Sequence, residues 1–317
     1  MSLRIALFGT GNFALPVFRS LLTGQSHQVV AVGTQPDRTG RGHHRHINPV
    51  KELAVECGVP VLQPANVNQP DVLDQLRALD ADLFLVAAYG QILKQTFLDI
   101  PRLGAFNLHG SLLPRHRGAA PVQYSIWKGD PEGGVTLFRI EPALDSGPMV
   151  AKVATPIGAR ETSGELMARL AELSIDLTHE ALQKLEAGTA EFEVQDEEQV
   201  TLAPKIKKQD GAIDWHQSAA EIDCQIRAMQ PWPKAYSWLS RSSRKPLRCI
   251  LLDAEPVEAA ANGKPGIVQL SDGHVYIHCG SGRLRLQSVQ PEGRKPMDAA
   301  GFANGFQLAD GSTFRPE

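Results

Sequence analysis

Asn107 and His109 stand two residues apart in "NLHGSLLPRHRGAAP" (107–121), which also carries two prolines, two glycines and two arginines. At the end of an apolar strand this spacing points both side chains to one side of the pleat. Open α/β sheets bind their ligands at the carboxyl ends of such strands. An imidazole with an ordinary pKa of about 6.5 can accept a proton close to neutrality. A carboxamide can donate to an oxygen on which negative charge develops. The pair is equipped as a proton handler and a charge stabiliser. A carboxylate that orients the imidazole would complete the set. The stretch "EPALDSGPM" (141–149) supplies Asp145 on a loop, although Asp-Ser-Gly by itself is an ordinary turn former. No G-x-S-x-G elbow prepares a serine nucleophile, so direct transfer between two substrates is expected rather than a covalent intermediate.

The elements that must position these groups are legible as patterns. "LRIALF" (3–8) is a short apolar run that leads through a glycine turn into the helical spacing of "FALPVFRSLLTG". "QVVAVGT" (28–34), "VPVLQ", "ADLFLVAAYG" and "GAFNLHG" are further apolar runs, separated by amphipathic stretches such as "PVKELAVECG" and "QPDVLDQLRALD". Continuous apolar strands alternating with helices predict an α/β, doubly wound domain whose parallel sheet is covered on both faces. "GVTLFRI" and "GPMVAKVATPI" read as later strands, and 162–188 as a long helix opened by a Thr-x-x-Glu capping box. The charged, aperiodic text after 188 predicts a linker. Beyond it lie a short helix and several short strands between Gly, Pro and Asp turns, which predict a small β-barrel. The expected division is 1–188 for the catalytic domain, 189–207 for the linker and 208–317 for the barrel.

Composition narrows the function classes. The chain has 317 residues, 42% hydrophobic and 21% charged, with net charge −3. No apolar run approaches the roughly 20 residues of a membrane span. The N-terminus passes from one arginine into a strand without the apolar region and cleavage site of a signal peptide, so a cytoplasmic location is expected. Cys57, Cys224, Cys249 and Cys279 show no C-x-x-C spacing and are expected as buried free thiols. "GTGNFA" (9–14) fits a dinucleotide-binding turn and keeps a nicotinamide enzyme as an alternative. The acid that should hold the ribose is poorly placed, however: Asp37 follows a proline and precedes Arg38. Glycines are also needed wherever a strand turns tightly into a packed helix. "PDRTGRGHHRH" (36–46) gathers three arginines and three histidines on a glycine-interrupted loop suited to anions. A metal tract would want nearby Cys, Asp or Glu, so no metal is expected.

Taken in order, "QPDRTGRG", "VAAYGQIL", "NLHGSLLPRHRGAAP" and "LDSG", followed by "VQDEEQVTLAPKIKKQDGAIDW" and "PWP", resemble the methionyl-tRNA formyltransferase family over nearly the whole chain. The resemblance implies a Rossmann-like formyltransferase domain with an OB-like C-terminal barrel. It implies 10-formyltetrahydrofolate as donor, with no NAD and no metal, and the α-amino group of methionine on initiator methionyl-tRNA as acceptor. A monomer is expected. Asn107, His109 and Asp145 become the catalytic trio, with Asp145 expected to favour the cationic imidazole. Folate contacts are implied at Val86, Ala88, Tyr89, Gly90, Ile92, the Ser111–Leu112–Leu113–Pro114 turn and Leu144. Contacts to tRNA are implied at Arg38, Arg41, Arg45, Lys205, Lys207 and Lys208. Two departures stand out: His43, His44 and His46 lie where the family usually has lysines, and His116 where an aromatic residue is common. An enzyme of the same fold acting on a sugar nucleotide or on folate alone would share the trio without needing the basic linker and small domain. A non-catalytic nucleotide-binding module would not need the trio.

Overall fold

The computed structural model describes residues 2–37, 48–240, 245–258 and 263–315. Up to residue 203 the elements are β1 (Arg4–Gly9), α1 (Leu15–Thr23), β2 (Gln28–Gly33), α2 (Pro49–Glu56), β3 (Val61–Leu62), α3 (Pro70–Ala78), β4 (Leu83–Ala87), α4 (Gln95–Leu98), β5 (Ala105–His109), β6 (Arg117–Gly118), α5 (Pro121–Trp127), β7 (Glu132–Arg139), β8 (Met149–Pro156), α6 (Ser163–Ala187) and β9 (Leu202–Ala203). Then follow α7 (Ala219–Ala228), β10 (Tyr236–Leu239), β11 (Leu247–Val257), β12 (Val268–Ser271), β13 (His274–His278), β14 (Arg283–Pro291), β15 (Met297–Asp298), α8 (Ala299–Phe306) and β16 (Phe314–Arg315). Helix starts follow their sequence signals: proline opens α2 and α3, and the Asn48 side chain accepts from Lys51 N–H. Thr162 and Glu165 exchange side-chain and backbone hydrogen bonds as a capping box before α6. Helices α4 and α5, of four and seven residues, carry too few turns for their periodicity to be read.

The chain divides into two compact units. One takes in the described residues up to 121 with 132–156 and 167–204; the other takes in 122–131, 157–166 and the described residues from 205. The expected division ran in chain order, whereas these units interleave. For 157–166 the reason is long-range hydrogen bonding. Arg160 binds Asp223, at 2.9 Å, and Asp253, and Ser163 Oγ donates to the Ala228 carbonyl at 2.8 Å. Most of the expected linker likewise belongs to the first unit, where β9 pairs with β6 and the backbone of Glu193 exchanges two 2.8 Å hydrogen bonds with that of Met149.

In the first unit the sheet order is β3-β2-β1-β4-β5-β7-β8. Strands β1 to β5 run parallel, and β7 and β8 close the edge antiparallel. Burial on both faces explains the unbroken apolar text of β4, all five of whose residues are buried. Phe8, Phe84, Tyr89 and Phe97 pack tilted or edge-on in one core cluster, each buried phenylalanine ring stabilising the fold by roughly 1.5–3 kcal/mol. Gly9 is dictated by packing: a Cβ there would come within 2.7 Å of Phe18 and 2.8 Å of the Ala87 carbonyl.

The second unit carries the order β12-β13-β14-β11-β10-β16, with β15 on β14. The segment leading into β16 returns to the residues around the start of β12: Val268 N–H donates to Ser312 O at 2.7 Å and Phe314 N–H to Gly266 O at 2.7 Å. The sheet thereby closes on itself as a barrel. Trp215, 1% exposed, lies against Phe314 and donates from Nε1 to Ser237 Oγ at 2.9 Å. Among the described residues no helix is long and apolar enough to cross a membrane.

Candidate active site

Strand β5 sits between parallel β4 and antiparallel β7, with Asn107 beside Val86 and Phe138, and His109 beside Thr136. Alternation sends Leu108 into the core on one face and leaves Asn107 and His109 on the other. Asn107 is half-buried and His109 is 5% exposed.

The imidazole has a defined tautomer. Nε2 lies 2.9 Å from the main-chain oxygen of His116. A carbonyl can only accept, so Nε2 carries the hydrogen. In the neutral ring Nδ1 is therefore a lone pair, and it faces Asp145 Oδ2 at 3.7 Å. That carboxylate oxygen is held by the Gly118 N–H at 2.8 Å.

Burial pushes the His109 pKa below its ordinary value, and the nearby His116 ring acts in the same direction. The Asp145 charge and the hydrogen bond to the His116 carbonyl oppose this without reversing it. The expectation that Asp145 favours the cation is right in sign, but burial outweighs it. At neutral pH the ring is neutral and can take a proton at Nδ1. The acid limb of kcat/KM should consequently lie below about 6.5. As pH falls through about 6.5 the unfolded chain takes up its proton first, so His109's contribution to stability is lost between there and its lower folded value. NMR titration of the His109 ring checks this, and a midpoint above 6.5 would refute it.

The turn after β5 is fastened to β7. Thr136 Oγ1 donates to Ser111 O at 2.7 Å and accepts from Leu113 N–H at 3.1 Å. Ser111 is fully buried and its hydroxyl donates to Arg115 O at 2.6 Å, so its role in the site is structural. Leu113 packs with Phe138 and Met149; Leu112 and Pro114 are half-buried, and the Leu113–Pro114 peptide is cis.

Beyond β4, Ala88 at φ +51° and Gly90 at φ +79° turn the chain sharply. Tyr89 departs from its expected place. Its ring is 2% exposed within the aromatic cluster, where burial raises its pKa to about 12. A ligand near this turn can meet its backbone, not its ring. Ile92 and Leu144 are 84% and 61% exposed, which leaves two large apolar side chains available for contact. Lys205, Lys207 and Lys208 are exposed on the second unit. Arg38, Arg41, Arg45, His43, His44 and His46 lie outside the described residues.

Two contributors escaped sequence reading: Thr136 and Gly118. A lone threonine within apolar "GVTLFRI" was the available signal for the first. Gly118 gave none apart from its tertiary contacts.

The formyl transferase family pattern matches residues 3–182, and the formyl transferase C-terminal domain pattern matches 205–307. The methionyl-tRNA formyltransferase of Methylococcus capsulatus is 42% identical over 308 residues, covering 97% of this chain and 98% of its own. The chain belongs to the methionyl-tRNA formyltransferase family. Its counterpart from Pseudomonas fluorescens is 45% identical over 304 residues, covering 95% of this chain and 93% of its own. Among solved structures, WlaRD, a sugar 3N-formyl transferase solved in the presence of dTDP and 5-N-formyl-THF, superposes with a TM-score of 0.65 at 16% identity. The match covers 93% of this chain and all of that one, and the two share a fold.

Proposed function

We propose that the protein transfers the formyl group of 10-formyltetrahydrofolate to the α-amino group of methionine on initiator methionyl-tRNA. The observation that carries the mechanism is the His109 lone pair at Nδ1, held 3.7 Å from the Asp145 carboxylate on the strand that presents Asn107. The methionyl amine attacks the formyl carbon, a carbon–nitrogen bond forms, and charge gathers on the formyl oxygen. Asn107 donates to that oxygen. His109 takes the amine proton at Nδ1, and the resulting cation is stabilised by Asp145. Collapse breaks the bond from carbon to the folate nitrogen, which receives the proton from His109. Asp145 thus acts on the cation formed during turnover, not on the resting ring.

For the donor we assign Val86, the 88–92 turn, the 112–114 turn and Leu144 as the walls of its subsite, with Ser111 fastening the turn. Lys205, Lys207 and Lys208, with Arg38, Arg41 and Arg45, are assigned to tRNA phosphates, so affinity should weaken with salt. One chain supplies the whole trio, which supports action as a monomer, and the tRNA acceptor supports a cytoplasmic location.

The test is transfer of labelled formyl from 10-formyltetrahydrofolate to methionyl-initiator tRNA by wild type and by His109→Ala. Transfer that disappears in the variant supports both the reaction and the role of His109. A folded wild type that binds the donor yet transfers nothing to this tRNA would overturn the acceptor.

A further inference from the structure

We propose that Gln195 is a positioning residue for Asp145, its buried carboxamide holding the Asp145 loop against Arg117 so that the carboxylate stays opposite His109 Nδ1. The inference rests on the catalytic reading of His109 and Asp145 given above.

Gln195 is 4% exposed, and its side chain uses its full hydrogen-bonding capacity. Nε2 donates to the main-chain oxygens of Asp145 and Gly147, each at 2.8 Å. Oε1 accepts from Arg117 Nε at 3.0 Å and Nη2 at 2.9 Å. The amide cannot be turned around, because carbonyls only accept and a guanidinium only donates. Arg117 is 6% exposed and is itself held from its other side by Glu197, with Nη2 to Oε1 at 2.8 Å.

The neighbours of Arg117 complete the arrangement. His116 contributes the carbonyl that receives His109 Nε2–H, and Gly118 the N–H that holds Asp145 Oδ2. Three successive residues thus touch the imidazole, the amide of Gln195 and the carboxylate. Asp145 is gripped at both ends, its side chain by Gly118 and its carbonyl by Gln195. It sits at φ +46°, in the left-handed region that aspartate tolerates better than most side chains, and the two contacts fix it there. His116 at φ +61° is in the same position. Gly118, at φ +126°, could not carry a side chain, since a Cβ would come within 2.6 Å of the Ala203 carbonyl. The segment bearing Gln195 is anchored in turn by the backbone pairing of Glu193 with Met149.

Gln195→Leu removes both sets of hydrogen bonds. Gln195→Glu keeps an acceptor for Arg117 but sets a carboxylate oxygen against two carbonyls, and it serves beside the leucine variant should that one fail to fold. The expected result is a kcat for formyl transfer lower by about 10- to 100-fold with KM for donor and tRNA near wild type, since a displacement of about 1 Å can cost about 100-fold. The charged or titratable groups facing the His109 ring among the described residues are Asp145 and His116. A carboxylate that drifts from Nδ1 should lower the midpoint of the His109 NMR titration. In an Asp145→Asn background the Gln195 substitution should have little further effect on kcat. An equal loss of kcat in both backgrounds would overturn the proposal, as would an unchanged kcat with an unchanged His109 titration. If His109→Ala retained transfer while the Gln195 variants still moved the His109 titration, the positioning role would stand and the catalytic reading would fall.

Discussion

Asn107→Ala should lower kcat for formyl transfer about 10²- to 10³-fold, the usual consequence of removing one oxyanion donor and equivalent to about 2.7–4 kcal/mol of transition-state stabilisation. KM for both substrates should stay near wild type, because the oxygen to which Asn107 donates carries its charge only as the amine attacks. Stability should hardly move. Asn107 is half-buried at the carboxyl end of β5, and its pairing with Val86 and Phe138 is made by backbone groups that alanine retains. Such substitutions shift stability by about 0.5 kcal/mol or less. Steady-state kinetics beside a thermal melt decides the matter. A kcat near wild type would remove Asn107 from the mechanism, and a matching collapse of the melting temperature would make its role one of folding.

Asp145→Asn should be as damaging, for a reason that the hydrogen bonds specify. Gly118 N–H demands an acceptor at the position of Oδ2. If the asparagine oxygen remained there, the carbonyl would keep its partner, but the negative charge opposite His109 would be gone. If the amide turned instead, its NH₂ would face Nδ1 as a donor, tying up the lone pair that must take the proton, and would leave Gly118 N–H unmatched. Either way the imidazolium formed during turnover loses its stabilising charge. The cost should be about 10²- to 10⁴-fold in kcat, the range associated with general acid–base catalysis. The ring's titration should also move to still lower pH, because Asp145 is the main influence raising it against burial. A pH profile of kcat with the NMR titration measures both effects. Wild-type turnover in Asp145→Asn would show that the carboxylate takes no part.

Several features of the fold were readable because they are written in adjacent residues. The apolar run of β4 announces a strand buried on both faces, and the Thr162 and Glu165 pair announces the start of α6. The spacing of Asn107 and His109 on one face of β5 is a property of any strand. The domain boundaries were harder to read, because 122–131 and 157–166 join the second unit through contacts such as Arg160 with Asp223, 63 residues away. Tyr89 illustrates the same limit within the site. Its place after β4 suggested a ligand contact, but whether a ring turns inward depends on the cavity that Phe8 and Phe97 leave for it.

By itself, the sequence determined the residue types able to do the chemistry, the elements that carry them and the fold class, because periodicity and turn signals are local and act within a few residues. Only the tertiary structure decided which nitrogen of His109 is free, that burial lowers its pKa, and that Gln195, 50 residues along the chain, grips Asp145 from behind. Those outcomes depend on which distant segments meet and how much water they exclude. Desolvation and hydrogen-bond partnership belong to the packed neighbourhood of a group, and that neighbourhood is assembled from stretches that carry no mark of one another.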